Sequence, residues 1–183
     1  MQHIYTEERF GENWFNYADV YKMIVEQAKD NSKFVEVGSW RGKSSAYMLV
    51  EIINSKKNIQ LTSVDNWPHD IIFDIYVNNM AEFLKNPNLY KHIRESSADG
   101  SKYFEDNSLD FVFIDACHLY ECVVLDVESW LPKVKKGGII AGHDYNLDDP
   151  TNPEHEGVIK AVNELFPMDK VTIKDTCWIY QVI

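Results

Sequence analysis

The sequence predicts an α/β fold of three layers (α/β/α): a seven-stranded, mostly parallel sheet with helices on both faces and a C-terminal antiparallel hairpin. Short β-rich runs alternate with helical runs through most of the 183 residues. The run 108–115, SLDFVFID, is apolar on both faces at its centre, as expected for a central strand of a parallel sheet. Runs 170–175 and 176–183 are both β-rich with no helix between them, which predicts the closing hairpin.

The first third of the chain supplies two helices and two strands. Residues 17–30 place apolar groups at helical spacing, and residues 33–39 form a short apolar run that a glycine turn ends. These patterns indicate a helix followed by a buried strand. Residues 44–55 are helical and amphipathic. Residues 59–65 are β-rich and end on Asp65, which places a carboxylate at the end of the second strand.

The middle of the chain continues the alternation. Residues 71–86 predict a helix that Pro87 stops, and residues 89–97 predict a third short strand. A brief helix over residues 99–106 then leads into the strand 108–115. A helix between successive strands is the usual way to bring them into a parallel sheet.

The last third adds a helix over 121–134, a strand over 137–144 after a glycine turn, and a helix over 155–166. The polar, proline-containing stretch 146–157 follows that strand, so it lies at the carboxyl edge, where open α/β sheets bind ligands. Its composition is consistent with a solvated surface loop and equally with a lid on the substrate side. The length of the chain predicts one domain over residues 1–183.

The charge of the chain is strongly acidic, because 18 Lys and Arg stand against 29 Asp and Glu and give a formal net charge of −11. Such a surface repels phosphate backbones, so we expect no nucleic acid partner. No apolar run approaches the ~20 residues that span a bilayer. The N-terminus lacks a signal pattern, so we expect a cytoplasmic protein without a membrane partner. Three irregularly spaced cysteines indicate reduced thiols.

The stretch 34–45, FVEVGSWRGKSS, joins the first strand to its helix through a glycine turn, which exposes backbone N–H groups. A phosphate-binding P-loop needs one more residue between Gly38 and Gly42, and Glu36 would repel a polyphosphate. A dinucleotide fingerprint would need a glycine where Trp40 stands. The loop therefore matches neither pattern well.

A nucleoside ligand without phosphates matches better. Glu36 near the loop and Asp65 after the second strand can accept hydrogen bonds from amino and hydroxyl groups. Trp67, two residues after Asp65, could cover a base. A salt bridge for Glu36 and simple packing for Trp67 are the structural alternatives.

Five ordered motifs carry a resemblance to a known family. They are E-V-G-S-W-R-G-K-S-S, V-D-N-W, S-L-D-F-V-F-I-D-A-C-H-L-Y-E, W-L-P-K-V-K-K-G-G-I-I-A-G-H-D-Y and G-V-I-K-A-V. The chain resembles the class I S-adenosylmethionine-dependent methyltransferases. Within them it is similar to the small O-methyltransferases with I-D-x-x-H-x-Y and G-H-D-Y, which include macrolide sugar O-methyltransferases. The resemblance covers residues 34–166. It implies the Rossmann-like methyltransferase fold, with 1–32 as an N-terminal helical segment and 33–183 as the cofactor-binding core.

The resemblance also implies which residues bind S-adenosylmethionine. They are Glu36, Gly38, Ser39, Trp40, Asp65, Asn66, Trp67, Ser97, Ala98 and Asp115. Asp65 would bind the ribose diol, with Asn66 and Trp67 beside the adenine. Ser96 stands where relatives often have an acid, so the partner of the adenine amino group stays open. On the helix that follows the fourth strand we expect Asp126 to be solvated.

Methyl transfer to an alcohol needs the acceptor oxygen aligned with the methyl group and relieved of its proton by a base or a metal. The resemblance implies His118 as the general base, with Asp115 beside it at the end of the fourth strand. It also implies that Asp115, His143 and Asp144 could bind a divalent metal, Mg or Mn. The alternatives are a capping role for His118 and a hydrogen-bonded pair for His143 and Asp144.

The expected activity is thus O-methyl transfer to a small hydroxylated acceptor, such as a sugar or a glycosylated metabolite. The expected partners are that small-molecule acceptor and, through a shared pocket, a second copy of the chain in a homodimer. A P-loop nucleotide enzyme and a non-catalytic S-adenosylmethionine-binding module are the alternatives.

Overall fold

The computed structural model describes residues 1–11 and 14–183 and alternates strands with helices along most of that length. The strands are β1 (Lys33–Val37), β2 (Gln60–Asp65), β3 (Tyr90–Arg94), β4 (Leu109–Ile114), β5 (Val134–Gly142), β6 (Val171–Lys174) and β7 (Cys177–Gln181). The helices are α1 (Ala18–Gln27), α2 (Lys43–Ser55), α3 (Asp70–Leu84), α4 (Ser97–Ser101), α5 (Tyr120–Trp130) and α6 (Pro153–Leu165). Two residues of the predicted N-terminal segment, 12 and 13, lie outside this description.

Seven strands form one sheet in the order β3-β2-β1-β4-β5-β7-β6. Strands β1 to β5 pair in parallel, whereas β7 runs antiparallel to both β5 and β6. The predicted fold class, with its C-terminal antiparallel hairpin, is confirmed. Val37 pairs with Val64 on one side and with Ile114 on the other, and Ile114 pairs with Gly142. The carboxyl ends of β1, β2, β4 and β5 therefore meet at one edge.

The core lies on both faces of the sheet, and β4 shows why its sequence is apolar throughout. Phe111 and Phe113 pack into the cluster that α1, α2 and α3 cover. Val112 and Ile114 pack into the cluster under α5 and α6, because successive strand residues point to opposite faces. Among the described residues, no helix is both long and apolar enough to span a membrane.

Several element boundaries differ from the sequence prediction, among them those of the short helix α4, of α5 and of β5. The short helix begins at Ser97 rather than at residue 99, because the Ser96 hydroxyl accepts a hydrogen bond from the backbone N–H of Asp99 and caps it. The predicted helix 121–134 ends at Trp130, and β5 begins at Val134. The glycine turn expected before β5 lies within it, where Gly137 adopts φ +80°.

Candidate active site

A cavity of about 1020 Å³ opens at the carboxyl edge of the parallel strands. Its wall combines the segment before α1, the loop between β1 and α2, the residues after β2, the start of α4, the turn after β4, one face of α5, and the two residues after β5. Ligand pockets commonly measure about 300–1,000 Å³, so this cavity has room for a cofactor and a small second ligand.

Two carboxylates and an imidazole converge at one end of the cavity. The Nε2 atom of His118 lies 2.9 Å from Oδ2 of Asp144 and 3.8 Å from Oδ1 of Asp115. The carboxylates of Asp115 and then Asp144 raise the pKa of His118 to about 10. Burial alone would raise the pKa of Asp115, but His118, His143 and a tyrosine hydroxyl outweigh burial and hold that pKa well below its usual range. The cluster is therefore tightly coupled electrostatically.

His143 is buried and contacts both carboxylates of this cluster. Its Nδ1 atom lies 3.1 Å from Oδ1 of Asp144 and 3.7 Å from Oδ1 of Asp115. Its Nε2 atom lies 2.8 Å from Oδ1 of Asn16 and 2.9 Å from Oγ1 of Thr176. Burial lowers the pKa of His143, but the two carboxylates outweigh burial and raise it to about 9. The buried ring is thus fixed by both of its nitrogens.

Asp115 is oriented by a residue far away in the sequence. The Tyr17 hydroxyl donates a hydrogen bond of 2.7 Å to Oδ2 of Asp115. Burial and the neighbouring carboxylates raise the pKa of Tyr17, so its hydroxyl stays protonated and keeps its role as donor. Oδ1 of Asp115 is left facing the two histidines.

Three side chains of this cluster could bind a metal ion. Ligand atoms of Asp115, His118 and Asp144 lie within 4.8 Å of one another. The set contains His118 in place of His143, which the sequence had suggested. The Nε2 atom of His118 is buried and makes no well-directed hydrogen bond, as suits a ligand atom aimed between two carboxylates. Two carboxylates and one imidazole fit Mn²⁺, Fe²⁺ or Zn²⁺ better than Mg²⁺.

Asp65 organises the loop between β1 and α2. Its Oδ2 atom accepts the backbone N–H groups of Ser39 at 2.8 Å and of Trp40 at 2.9 Å. Its Oδ1 atom accepts the backbone N–H of Trp67 at 2.9 Å. Each carboxylate oxygen has two lone pairs, so Oδ2 is fully used and Oδ1 keeps one lone pair for a ligand. Asp65 lines the cavity, as do Ser39 and Trp40.

Gly38 permits the close approach of this loop to β4. It adopts φ +87°, and a Cβ there would overlap the backbone carbonyl oxygen of Asp115. The backbone N–H of Gly38 donates to the carbonyl of Val64, which ties the loop to β2. The residue is therefore a glycine for two independent reasons, the left-handed backbone and the absence of space.

Two residues expected to contact the cofactor lie behind the cavity wall. Glu36 is fully buried, and its carboxylate accepts hydrogen bonds from Tyr21, Ser45 and Ser63. It is absent from the cavity lining, and burial raises its pKa. Trp67 is also fully buried, with its ring 4.2 Å from that of Tyr76, and its indole N–H donates to the carbonyl of Trp40. Of the two roles that the sequence left open for Trp67, covering a base or packing in the core, the structure shows packing.

The other end of the cavity lies between α4 and α5. Ser97 and Ala98 line it, and so does Asn66 after β2. Asp126 also lines it and is only 4% exposed, so the expectation of a solvated side chain was wrong. Burial raises the pKa of Asp126 to about 6, partly offset by the Ser97 hydroxyl.

Sequence reasoning missed Asp126, although a signal was present. Asp126 lies four residues before Trp130 and four after Cys122, so all three share one face of α5. Trp130 is fully buried and Cys122 lines the cavity, so that face turns inward. Tyr17 and Asn16 were missed as well. Their partners are 98 and 127 residues away, and no local pattern reveals such contacts.

Comparison with known proteins gives one family and a consistent fold. A family model described as "Methyltransferase domain" matches residues 35–145, more than half of the chain. The uncharacterized protein R132 of Acanthamoeba polyphaga mimivirus is 28% identical over 141 residues, which cover 75% of this chain and 60% of that protein. The chain therefore spans less than two thirds of the length of that relative.

Solved structures are similar in fold at low sequence identity. The Podospora anserina methyltransferase PaMTH1, solved with bound S-adenosylhomocysteine, has a TM-score of 0.66 at 13% identity, over 91% of this chain and 77% of that one. CalS11, a TDP-rhamnose 3′-O-methyltransferase of calicheamicin biosynthesis, has a TM-score of 0.66 at 13% identity, over 90% of this chain and 76% of that one.

Proposed function

Because this chain belongs to the methyltransferase-domain family, we propose that it transfers a methyl group from S-adenosylmethionine to a hydroxyl oxygen of a small acceptor, such as a sugar or a glycosylated metabolite. One observation carries the proposal. A single cavity joins a loop braced by Asp65 to a cluster of Asp115, His118 and Asp144, so a cofactor and an acceptor can meet inside it.

The cofactor would lie along the carboxyl edge of the sheet. Asp65 has one lone pair left on Oδ1 to accept a hydrogen bond from a ribose hydroxyl. The adenine would extend toward Asn66, Ser97 and Ala98, and the methionine moiety toward the backbone of Gly38. This placement directs the methyl group toward the turn after β4. The bound S-adenosylhomocysteine in PaMTH1, which has the same fold, supports the choice of cofactor.

His118 would take the proton from the acceptor hydroxyl. It lines the cavity with its Nε2 atom beside Asp115 and Asp144. Only the neutral imidazole accepts a proton, whereas the adjacent carboxylates raise its pKa to about 10. The neutral form therefore becomes more abundant as the pH rises toward that value. Asp115, held by the Tyr17 hydroxyl, would fix the imidazole and balance its charge once protonated.

A divalent cation at Asp115, His118 and Asp144 is the alternative means of activating the acceptor. The three side chains could hold it, and it would supply a Lewis acid that lowers the pKa of the acceptor hydroxyl. His143 would then orient the carboxylate of Asp144, because its Nδ1 atom lies 3.1 Å from Oδ1 of Asp144. The sugar acceptor rests on the motifs after β4 and β5 and on the likeness of fold to CalS11.

Calorimetry and a methyl-transfer assay test the proposal with two variants. Asp65→Ala should weaken binding of S-adenosylhomocysteine by on the order of tenfold or more, because it removes a charged acceptor and releases the loop. His118→Ala should leave that affinity within a few-fold and reduce turnover of a hydroxylated acceptor by on the order of 100-fold.

Two exposed residues supply the matched controls. Asp74→Ala on α3 and His69→Ala at its N-terminus should change neither quantity. Absence of any S-adenosylhomocysteine binding by the folded wild-type protein would refute the proposed function. Full turnover by His118→Ala would refute only the role of the base.

A further inference from the structure

Asp126 is a buried carboxylate in the wall of the cavity that makes no ion pair with the cluster of Asp115, His118 and Asp144. It is 4% exposed and shares the cavity wall with Cys122 and Leu125 of the same helix. The other carboxylates of the cavity wall, Asp65, Asp115 and Asp144, follow strands at the edge of the sheet. Asp126 is set apart from them on α5, opposite the start of α4.

The neighbours of Asp126 leave part of its carboxylate unused. The indole N–H of Trp130 donates a hydrogen bond of 2.9 Å to Oγ of Ser97, and the Ser97 hydroxyl lies close enough to Asp126 to lower the pKa of that carboxyl. In the part of the chain that the structure describes, no Lys, Arg or His forms an ion pair with Asp126. A buried carboxylate normally has several donors, so this one has acceptor capacity for a ligand donor.

The polar residues after β3 cannot accept a hydrogen bond from a ligand in this part of the cavity. Ser96 commits its hydroxyl to the cap of α4, where it accepts from the Asp99 N–H and donates to Oδ2 of Asp99. Oδ1 of Asp99 accepts from Lys102 at 2.6 Å, and Asp99 does not line the cavity. The acid that could meet a cofactor between α4 and α5 is therefore Asp126.

We propose that Asp126 accepts a hydrogen bond from the exocyclic amino group of the cofactor's adenine and makes the cavity selective for adenine over a purine that lacks this amino group. The inference rests on the proposed function and specifies how that cofactor is recognised. The indole N–H of Trp130 donates to the Ser97 oxygen, which leaves the Ser97 proton available for Asp126. The ionised carboxylate predominates at neutral pH, because burial raises the pKa of Asp126 only to about 6.

The test compares two ligands that differ only at the amino group. Calorimetry measures the affinity of S-adenosylhomocysteine and of its 6-deamino analogue, in which a hydrogen atom replaces the amine on the purine ring. The wild-type protein should prefer the adenine ligand by roughly tenfold to a hundredfold, since the deaminated ligand leaves a buried carboxylate without a donor. The isosteric Asp126→Asn should lose that preference to within a few-fold.

The matched control is Asp99→Asn on the neighbouring helix α4, an acid that does not line the cavity and should keep the full preference. Equal binding of the two ligands by the wild-type protein would overturn the inference without any variant. A full preference retained by Asp126→Asn would overturn it as well. Failure of the wild-type protein to bind either ligand would instead overturn the proposed function, and this inference with it.

Discussion

The buried carboxylate of Asp126 should lower the stability of the free protein. Its pKa is raised to about 6 in the fold, above the value of about 3.9 in an unfolded chain. An acid with a raised pKa stabilises the fold below its unfolded pKa, and that contribution is lost as the pH rises through 6. Above that pH the fold therefore bears the cost of a buried charge.

Asp126→Asn should consequently be more stable than the wild-type protein at pH 8, by roughly 2 kcal/mol or about 5 °C in Tm. The difference should shrink as the pH falls from 7 to 4, because the wild-type carboxyl becomes neutral. Thermal unfolding across that pH range measures it. Asp99→Asn, at an acid whose pKa is lowered by Lys102, should give no gain. A lower Tm for Asp126→Asn at pH 8 would contradict the conclusion that Asp126 is a destabilising buried charge.

Single residues also show where sequence reasoning ends. Asp65, Asp115 and Asp144 were expected at the site because the motifs that carry the family resemblance place them at the ends of predicted strands, and the order of strands along the chain brings those ends to one edge. Asp126 was wrongly expected to be solvated, because α5 carries polar residues on more than one face and the spacing of Asp126 to Trp130 and Cys122 was not used to identify the inward face. The hydrogen bond from Tyr17 to Asp115 depends on packing between distant segments, which no local spacing encodes.

At the scale of elements, the loop between β1 and α2 is held by backbone contacts more than by its own side chains. Asp65 receives three backbone N–H groups, and the indole of Trp67 donates to the carbonyl of Trp40. Trp40 and Trp67 both adopt positive φ, at +47° and +36°, which is unusual for bulky residues. The elements were predictable from periodicity, whereas this bracing depends on a left-handed backbone that periodicity does not report.

Helix α6 packs closely against the turn that carries His118. A Cβ added at Gly157 would overlap the carbonyl oxygen of His118 and lie 2.7 Å from the backbone nitrogen of Tyr120. Helix propensity alone predicts that Gly157→Ala stabilises the protein by about 1 kcal/mol. Overlap with backbone atoms predicts the opposite sign, because neither element can move away cheaply.

We expect the overlap to dominate, so Gly157→Ala should destabilise the protein by about 2 kcal/mol and lower turnover more than S-adenosylhomocysteine affinity. Denaturant unfolding and the methyl-transfer assay measure the two effects. Glu156→Ala, at an exposed neighbour in the same turn of α6, is the control and should change little. A variant at Gly157 that gains stability would show that α6 does not constrain the turn.

At the scale of the whole molecule, the formal net charge of −11 and the clustered carboxylates favour binding of a cation. A cation at Asp115, His118 and Asp144 would join the ends of β4 and β5 and tie two central strands together. An ion that binds only the folded state stabilises it by about 2.7 kcal/mol at a hundred times its dissociation constant. The binding free energy of the cation should therefore increase the free energy of unfolding of the entire chain.

Thermal unfolding of chelator-treated protein, with and without Mn²⁺, tests this linkage without any activity assay. Mn²⁺ should raise Tm by several degrees, and Mg²⁺ should raise it less, because the imidazole ligand suits Mn²⁺ better. The shift should grow from pH 6.5 to pH 8.5, since the cation must displace the proton that the carboxylates hold on His118, whose pKa is raised to about 10. His118→Ala and Asp144→Asn should abolish the shift, whereas His69→Ala should retain it. A shift that survives in both cluster variants would place the cation elsewhere on this acidic surface and leave His118 free to act as the base.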